Sequence, residues 1–268
     1  MKRRLGINVE CLRGVPYEEA LPLIKQAGFD CYFTNKCNVD TVRDMKRMGE
    51  ELGLTLEFIH APFSGINTMW LAGMDYLKIY NGMKEAIDTA AELDIPSVIM
   101  HVSSGWNAPD ITELGLARFD SLVERAVEKG VVLAFENLRR VGILAYFADR
   151  YKKIDNVRFC YDSGHEHGYT KHIRWMDIFQ NRMVATHIHD NMGRPDHDES
   201  FDPDTHILPF DGTCDYEHMM RDLDKYGFEG ALVLEVNSRP SARPDYAELS
   251  NEEFLATCYE RIKKISEM

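Results

Sequence analysis

Eight short apolar runs, each followed by a longer stretch with helical spacing, recur along the whole chain, and this alternation narrows the available folds more than any single motif. The runs fall at residues 5–10, 29–34, 55–61, 97–102, 131–138, 157–164, 183–191 and 231–237. Between them, residues 17–27, 39–52, 74–93, 112–129, 140–153, 172–181 and 216–226 carry apolar side chains at helical intervals, with a last such stretch from Asp245 onward. Pro16 stands near the first of these starts, and Gly28, Gly53, Gly130 and Gly227 stand just past helix ends, where each residue type is favoured. A helix after each strand returns the chain to run parallel to the strand before. Eight such units in 268 residues predict a closed (β/α)8 TIM barrel, read as a single domain over residues 1–268. An open doubly wound sheet is the competing architecture. It ordinarily carries a glycine-rich turn after an early strand, and neither G-x-G-x-x-G nor G-x-x-x-x-G-K occurs. The stretch 192–215 reads as one long loop after the seventh strand.

Charge and composition remove several function classes. Lys and Arg number 31 against 44 Asp and Glu, a net charge of −13, and an acidic surface repels the phosphate backbone that a nucleic-acid binder must attract. The six cysteines form no C-x-x-C pair, which fits a reducing compartment better than a disulfide framework. Asn8 and Glu10 interrupt the apolar segment that a signal peptide needs, and no apolar run approaches the ~20 residues that span a bilayer. A cytoplasmic protein with no membrane partner is the expectation.

The polar residues at the strand ends carry the chemistry, because a barrel of this kind builds its active site there. His60 ends strand three, His101 strand four, Glu136-Asn137 strand five, Asp162-Ser163-Gly164-His165 strand six, His187-Ile188-His189-Asp190 strand seven and Glu235 strand eight. Taken singly, a histidine at a strand end reads as a hydrogen-bonded rim residue, and Asp162-Ser163-Gly164 as a turn. Taken together, converging carboxylates and imidazoles at one mouth would repel or go unpaired unless a cation bound them. Mixed carboxylate and imidazole ligands without thiolate suit Mn²⁺, Zn²⁺ or Co²⁺, with Mg²⁺ as a further option. Cys160, two residues before Asp162, reads as barrel filling. His165-Glu166-His167 lacks the H-E-x-x-H spacing of helical metalloproteases.

The set His60-Ala61-Pro62, Glu136-Asn137, Asp162-x-x-His165, His187-x-x-Asp190, Asp204-x-His206 and Glu235 resembles the xylose isomerase-like superfamily of metal-dependent barrels, which includes sugar and sugar-phosphate isomerases, ketose 3-epimerases, inosose dehydratases and three-metal abasic-site endonucleases. The resemblance implies that Glu136, Asp162, His187 and Glu235 hold the principal metal, with His187 chosen over His189 because it stands three residues before Asp190. It implies that His165 supports the metal site or binds substrate, and that His60 and His101 face the substrate or a further ion. Asp204 and His206 match positions that supply an additional ion in the endonucleases. Family members are often oligomers, so a homo-oligomer is expected by the same resemblance.

The activity implied is isomerisation or epimerisation of a small polyhydroxylated substrate, a sugar, polyol or sugar phosphate, by proton transfer through a metal-stabilised cis-enediolate. Glu136 and Glu235 would then donate and accept the proton, as in the ketose 3-epimerases, while His60, His101 and His189 orient hydroxyls. Trp106, after strand four, reads either as an apolar platform for a sugar ring or as loop packing. Arg194 reads as a solvated loop arginine or as a ligand for a substrate oxygen or phosphate, and Arg139-Arg140 as a helix start. Two alternatives stay open: a dehydratase or lyase using the same first step, and a multi-zinc abasic-site endonuclease, against which the acidic charge weighs. A barrel that binds a ligand without turning it over is a third reading.

Overall fold

Period-two alternation explains how the chain forms a filled barrel. In the computed structural model, which describes residues 3–195, 198 and 200–268, eight strands form one parallel sheet. They are β1 (Leu5–Asn8), β2 (Cys31–Thr34), β3 (Thr55–His60), β4 (Ser97–Met100), β5 (Val132–Glu136), β6 (Val157–Asp162), β7 (Met183–His187) and β8 (Leu232–Leu234). The basic start Met1-Lys2 and the loop residues Asp196 and His197 lie outside the described residues. Each strand pairs with the next in sequence, and β1 also pairs with β8. The remaining seam, β7 to β8, closes just past the end of β7: Ile188 donates to the Val233 carbonyl at 2.8 Å and accepts from Glu235 at 3.0 Å. Below it the buried Thr186 hydroxyl joins the strands, donating to the Ala231 carbonyl and accepting from the Val233 amide, both at 3.1 Å. The sheet is therefore a (β/α)8 barrel.

Nine α-helices lie among the described residues: α1 (Tyr17–Ala27), α2 (Val39–Glu51), α3 (Leu77–Glu92), α4 (Glu113–Lys129), α5 (Val141–Arg150), α6 (Ser163–Tyr169), α7 (Trp175–Phe179), α8 (Tyr216–Lys225) and α9 (Asn251–Ser266). Their ends follow local chemistry. Thr112 caps α4 by accepting from the Gly115 amide, and Gly130 ends it at φ 72°, a left-handed backbone that a side chain resists. Ser250 and Glu253 cap α9 reciprocally. No helix of the described residues is long and apolar enough to cross a membrane.

Two apolar layers result from the alternation. Outward-facing strand residues and the helices form the larger core, while Cys31, Phe33, Phe58, Ile99, Ala134, Cys160, Ala185, Ala231 and Val233 fill the barrel interior. Two residues beyond Phe58, Ile99, Ala134, Cys160, Ala185 and Val233 stand His60, His101, Glu136, Asp162, His187 and Glu235. The inner apolar layer is thus the floor of a polar one. Cys160 belongs to that floor, as its sequence position indicates.

Three expectations change. The strands end sooner than the apolar runs, so His101 and Glu235 each lie one residue past their strand. His165 is not a strand-end residue but stands in the first turn of α6, which the two glycines of 163–169 conceal; Asp162 starts that helix by accepting from the His165 amide at 2.6 Å. The helix expected over 172–181 shortens to α7.

Glu166 ties α6 to both neighbours, accepting from the Tyr161 hydroxyl at 3.2 Å and the Trp175 amide at 3.1 Å. Burial pushes its carboxyl up from 4.5 to about 7, against the pull of those two donors. A carboxyl raised on folding stabilises most below its unfolded value and loses that contribution as pH rises through about 7, a swing of about 3 kcal/mol. Urea unfolding at several pH values between about 4.5 and 8 is therefore expected to show a downward slope that Glu166→Gln flattens. Equal slopes in the two proteins would refute the assignment.

Candidate metal centre

Among the described residues the polar layer holds five overlapping groups, within each of which the possible ligand atoms lie within 4.8 Å of one another. Two of them, His60 with His187 and Glu235, and Glu136 with Cys160 and His187, overlap the three described next and bring the Cys160 thiol to the edge of the site. The first is Glu136, Asp162, His187 and Glu235. His187 Nδ1 lies 3.3 Å from Glu136 Oε2, 3.2 Å from Glu235 Oε2 and 4.0 Å from Asp162 Oδ2. The second is His60, His101 and Glu136, with the two Nε2 atoms 3.4 and 3.3 Å from the same Oε2. The third is His165, His189, Asp204 and His206, in which Asp204 lies 3.5 Å from His165 Nε2 and 3.1 Å from His206 Nε2. Glu136 belongs to the first two groups, and Asp162, 3.1 Å from His189 Nε2, links the first to the third.

Backbone carbonyls set the orientation of the rings. His60 Nδ1 donates to the Ala61 carbonyl at 2.8 Å, His165 Nδ1 to that of Asn137 at 3.0 Å and His206 Nδ1 to that of Glu235 at 2.9 Å. A carbonyl can only accept, so each contact fixes the proton on Nδ1; Nε2 of His60 then faces Glu136 and Nε2 of His165 and His206 faces Asp204, as in metal-ligating histidines, while His165 Nδ1 also lies 3.0 Å from Glu136 Oε1. Asn137 fastens β5 to β6 by donating to the Asp162 carbonyl at 2.9 Å and accepting from its amide at 2.7 Å. Asp190 holds the long loop instead of joining a group: its carboxylate accepts from the amides of Asn191, Phe210 and Cys214. His206 sits in that loop with φ 45°, a strained backbone, and its ring stacks 4.1 Å from that of His189. Gly164 is required beneath it, since a Cβ there would overlap the His189 ring.

These residues fit a divalent cation by their unmet polarity. Both oxygens of Glu136, Asp162 Oδ2, Asp204 Oδ1 and all four ring nitrogens of His187 and His189 are buried without an aligned hydrogen bond among the described residues. Leaving even one buried polar group unpaired costs about 1–3 kcal/mol, and ligation to a cation would satisfy one atom each of Glu136, Asp162 and His187 at once. Protons stand in for it otherwise. Burial opposes charge on Glu136, yet the neighbouring His187 and His101 outweigh it and hold the carboxyl well below its usual range. Burial likewise opposes a charged His206, but Asp204 carries that ring up to about 10. His101 goes the other way: burial outweighs Glu136 and lowers its ring below the usual imidazole value.

Further residues line the approach. Phe33 and Phe58 lie under His187, at 5.1 and 5.5 Å between ring centres, and Phe63 stacks 4.4 Å from His101. In sequence these phenylalanines look like core. Arg194 is not a freely solvated loop residue: it is half-buried, with its guanidinium carbon 4.0 Å from the Trp106 ring centre. Trp106 therefore packs as the platform of an arginine, its edge toward Tyr169 at 5.8 Å. Arg140 precedes α5 as expected, but Arg139 folds back over Tyr169 at 3.7 Å.

A sequence-family model described as xylose isomerase-like TIM barrel matches residues 13–258. Among curated proteins, the chain is 30% identical over 171 residues to the uncharacterized protein y4fM of Sinorhizobium fredii, a match covering 58% of this chain and 51% of that one. The match thus spans about half the length of that relative. Among solved structures, D-psicose 3-epimerase from Clostridium cellulolyticum H10, determined with D-tagatose, aligns with TM-score 0.73 and 14% identity over 98% of each chain. The IOLI protein with a binding zinc atom aligns with TM-score 0.74 and 17% identity, also over 98% of each. At these identities the two structures establish the common fold.

Two measurements test the centre. Glu136→Gln, which weakens two groups at once, is expected to lower metal content per chain as read by plasma mass spectrometry; full occupancy would remove Glu136 from the ligand set. Because His206 is protonated at pH 8 and ligation needs its neutral form, metal uptake there is expected to release protons. Calorimetry in buffers of different ionisation enthalpy reads that release, and a heat independent of buffer would contradict it.

Proposed function

We propose that this chain, which belongs to the xylose isomerase-like TIM-barrel family, is a divalent-metal-dependent isomerase or epimerase of a small sugar, polyol or sugar phosphate. The observation that carries the reading is the unequal burial of two carboxylates around one imidazole. Glu136 is sealed at 0% exposure while Glu235, equally close to His187, keeps 16%. A bound Mn²⁺, Zn²⁺, Co²⁺ or Mg²⁺ would supply Lewis-acid polarisation of a carbonyl and so acidify the adjacent C–H. Glu235, the more accessible group, accepts the proton from carbon in this scheme. Glu136 is the second proton position, reached through His101, whose Nε2 lies 3.3 Å away. His60 and His189 orient hydroxyls, and Phe63 presents an apolar face at the entrance. Dehydration or lysis would begin with the same proton abstraction.

The second and third ligand groups favour one other reading, hydrolysis of a phosphodiester such as abasic-site DNA by several zinc ions, since clustered metals can activate water and stabilise a leaving oxygen. The net charge of −13 opposes a duplex at this mouth. Metal stoichiometry and solvent-deuterium exchange separate the two. The wild type is expected to exchange a carbon-bound proton of a ketose or ketose phosphate with solvent, and Glu235→Gln to slow that exchange by at least about 10²-fold. Undiminished exchange in the variant would sink the proton-transfer scheme, and phosphodiester cleavage with no exchange in the wild type would favour the hydrolase.

A further inference from the structure

Beside the metal groups, one aromatic ring away, lies a cavity of about 340 Å³ whose walls include Arg139, Tyr169, Thr170, Lys171, His172 and Arg194. Basic side chains are outnumbered on this chain, 31 to 44, yet they converge here. Both guanidiniums are held in place before any ligand arrives. Arg139 lies flat over Tyr169 at 3.7 Å and gives Nη2 to Asp202 at 2.7 Å, while Arg194 lies over Trp106 at 4.0 Å. Each nevertheless keeps a buried nitrogen, Arg139 Nε and Arg194 Nη1, with no hydrogen-bond partner among the described residues. Those two nitrogens are closed to solvent, so the pre-positioning of two arginines on one cavity wall, rather than an open donor, is what suits the cavity to a planar or tetrahedral oxyanion. Tyr169 forms the shared wall: its other stacking partner, 5.1 Å away, is His165 of the third metal group.

We infer that this cavity is an oxyanion subsite, so that the substrate is an anionic polyol carrying a phosphate or carboxylate which Arg139 and Arg194 hold while its carbonyl end faces the metal groups. The assignment rests on the isomerase reading for the identity of the ligand as a substrate. The two arginines explain what the metal groups do not, a means of fixing which end of a polyhydroxylated molecule enters first. Asp202, 66% exposed, is the carboxylate that an incoming anion would replace on Arg139.

The test uses the full-length, metal-loaded protein. Inorganic phosphate and acetate are titrated calorimetrically into wild type, Arg194→Gln, Arg139→Gln and Glu235→Gln, with thermal midpoints recorded to confirm folding. Saturable binding of at least one anion is expected, weakened about tenfold or more by either arginine change and retained in Glu235→Gln. Tighter phosphate than acetate would assign a phosphorylated substrate, and the reverse a sugar acid. With a phosphorylated or carboxylated substrate, Arg194→Gln is expected to raise KM by a similar factor and kcat to change less. Absence of saturable binding, or binding that ignores both arginines and follows Glu235 or the metal, overturns the subsite. Arginine-dependent anion binding in a protein that exchanges no sugar proton would retain the subsite and refute the isomerase reading; exchange on neutral sugars without arginine-dependent binding would do the opposite.

Discussion

Two carboxylates, Glu136 and Asp162, stand fully buried at the mouth of the barrel, and much of the surrounding architecture follows from keeping charge there. A charge in that position is costly unless it is paired. Imidazoles supply the pairing from β3, β7, α6 and the loops after β4 and β7, so residues far apart in sequence are bound to one electrostatic problem. Asn137 fixes one carboxylate relative to the other, since its amide bridges the backbone of Asp162 while its neighbour in sequence is Glu136. The solution is over-determined, which is why each ring has a carbonyl or a stacking partner to orient it.

The barrel makes such a cluster possible because its strands place side chains in layers. An apolar layer of small and medium residues, with Phe33 and Phe58 as its widest members, excludes water from below. That exclusion strengthens the attraction among the charges above it and also raises the cost of a missing partner. The same layer leaves room for the polar one: Gly6 faces inward where a Cβ would meet Cys31 and Val233.

Much of this was legible in the chain. His60, Glu136, Asp162 and His187 follow apolar residues at strand spacing, and the two-residue step from floor to polar layer is visible in Ala134-Phe135-Glu136 and Cys160-Tyr161-Asp162. What escaped depends on contacts that local patterns do not encode. Helix α6 contains Gly164 and Gly168, poor helix formers, and exists because Asp162 caps it and His189 needs the space that Gly164 leaves. Arg194 reads as solvated because nothing nearby in sequence reveals Trp106, 88 positions earlier, as its platform. Arg139 could be placed at a helix start but not over a tyrosine on another element. Phe63 is one more phenylalanine until His101 is known to lie under it.

The seam between β7 and β8 carries a mechanical meaning. Every other strand boundary is zipped by a backbone ladder, whereas this one relies on a single residue past the strand and on the hydroxyl of Thr186. His187 and Glu235 face each other directly across that joint, 3.2 Å apart. An ion gripping both would act as a clasp on the hoop, and ligation free energy and the work of keeping the barrel shut would then be one quantity. A breathing motion that parts the joint would release such an ion, and its residence time would then be coupled to the stiffness of the scaffold itself.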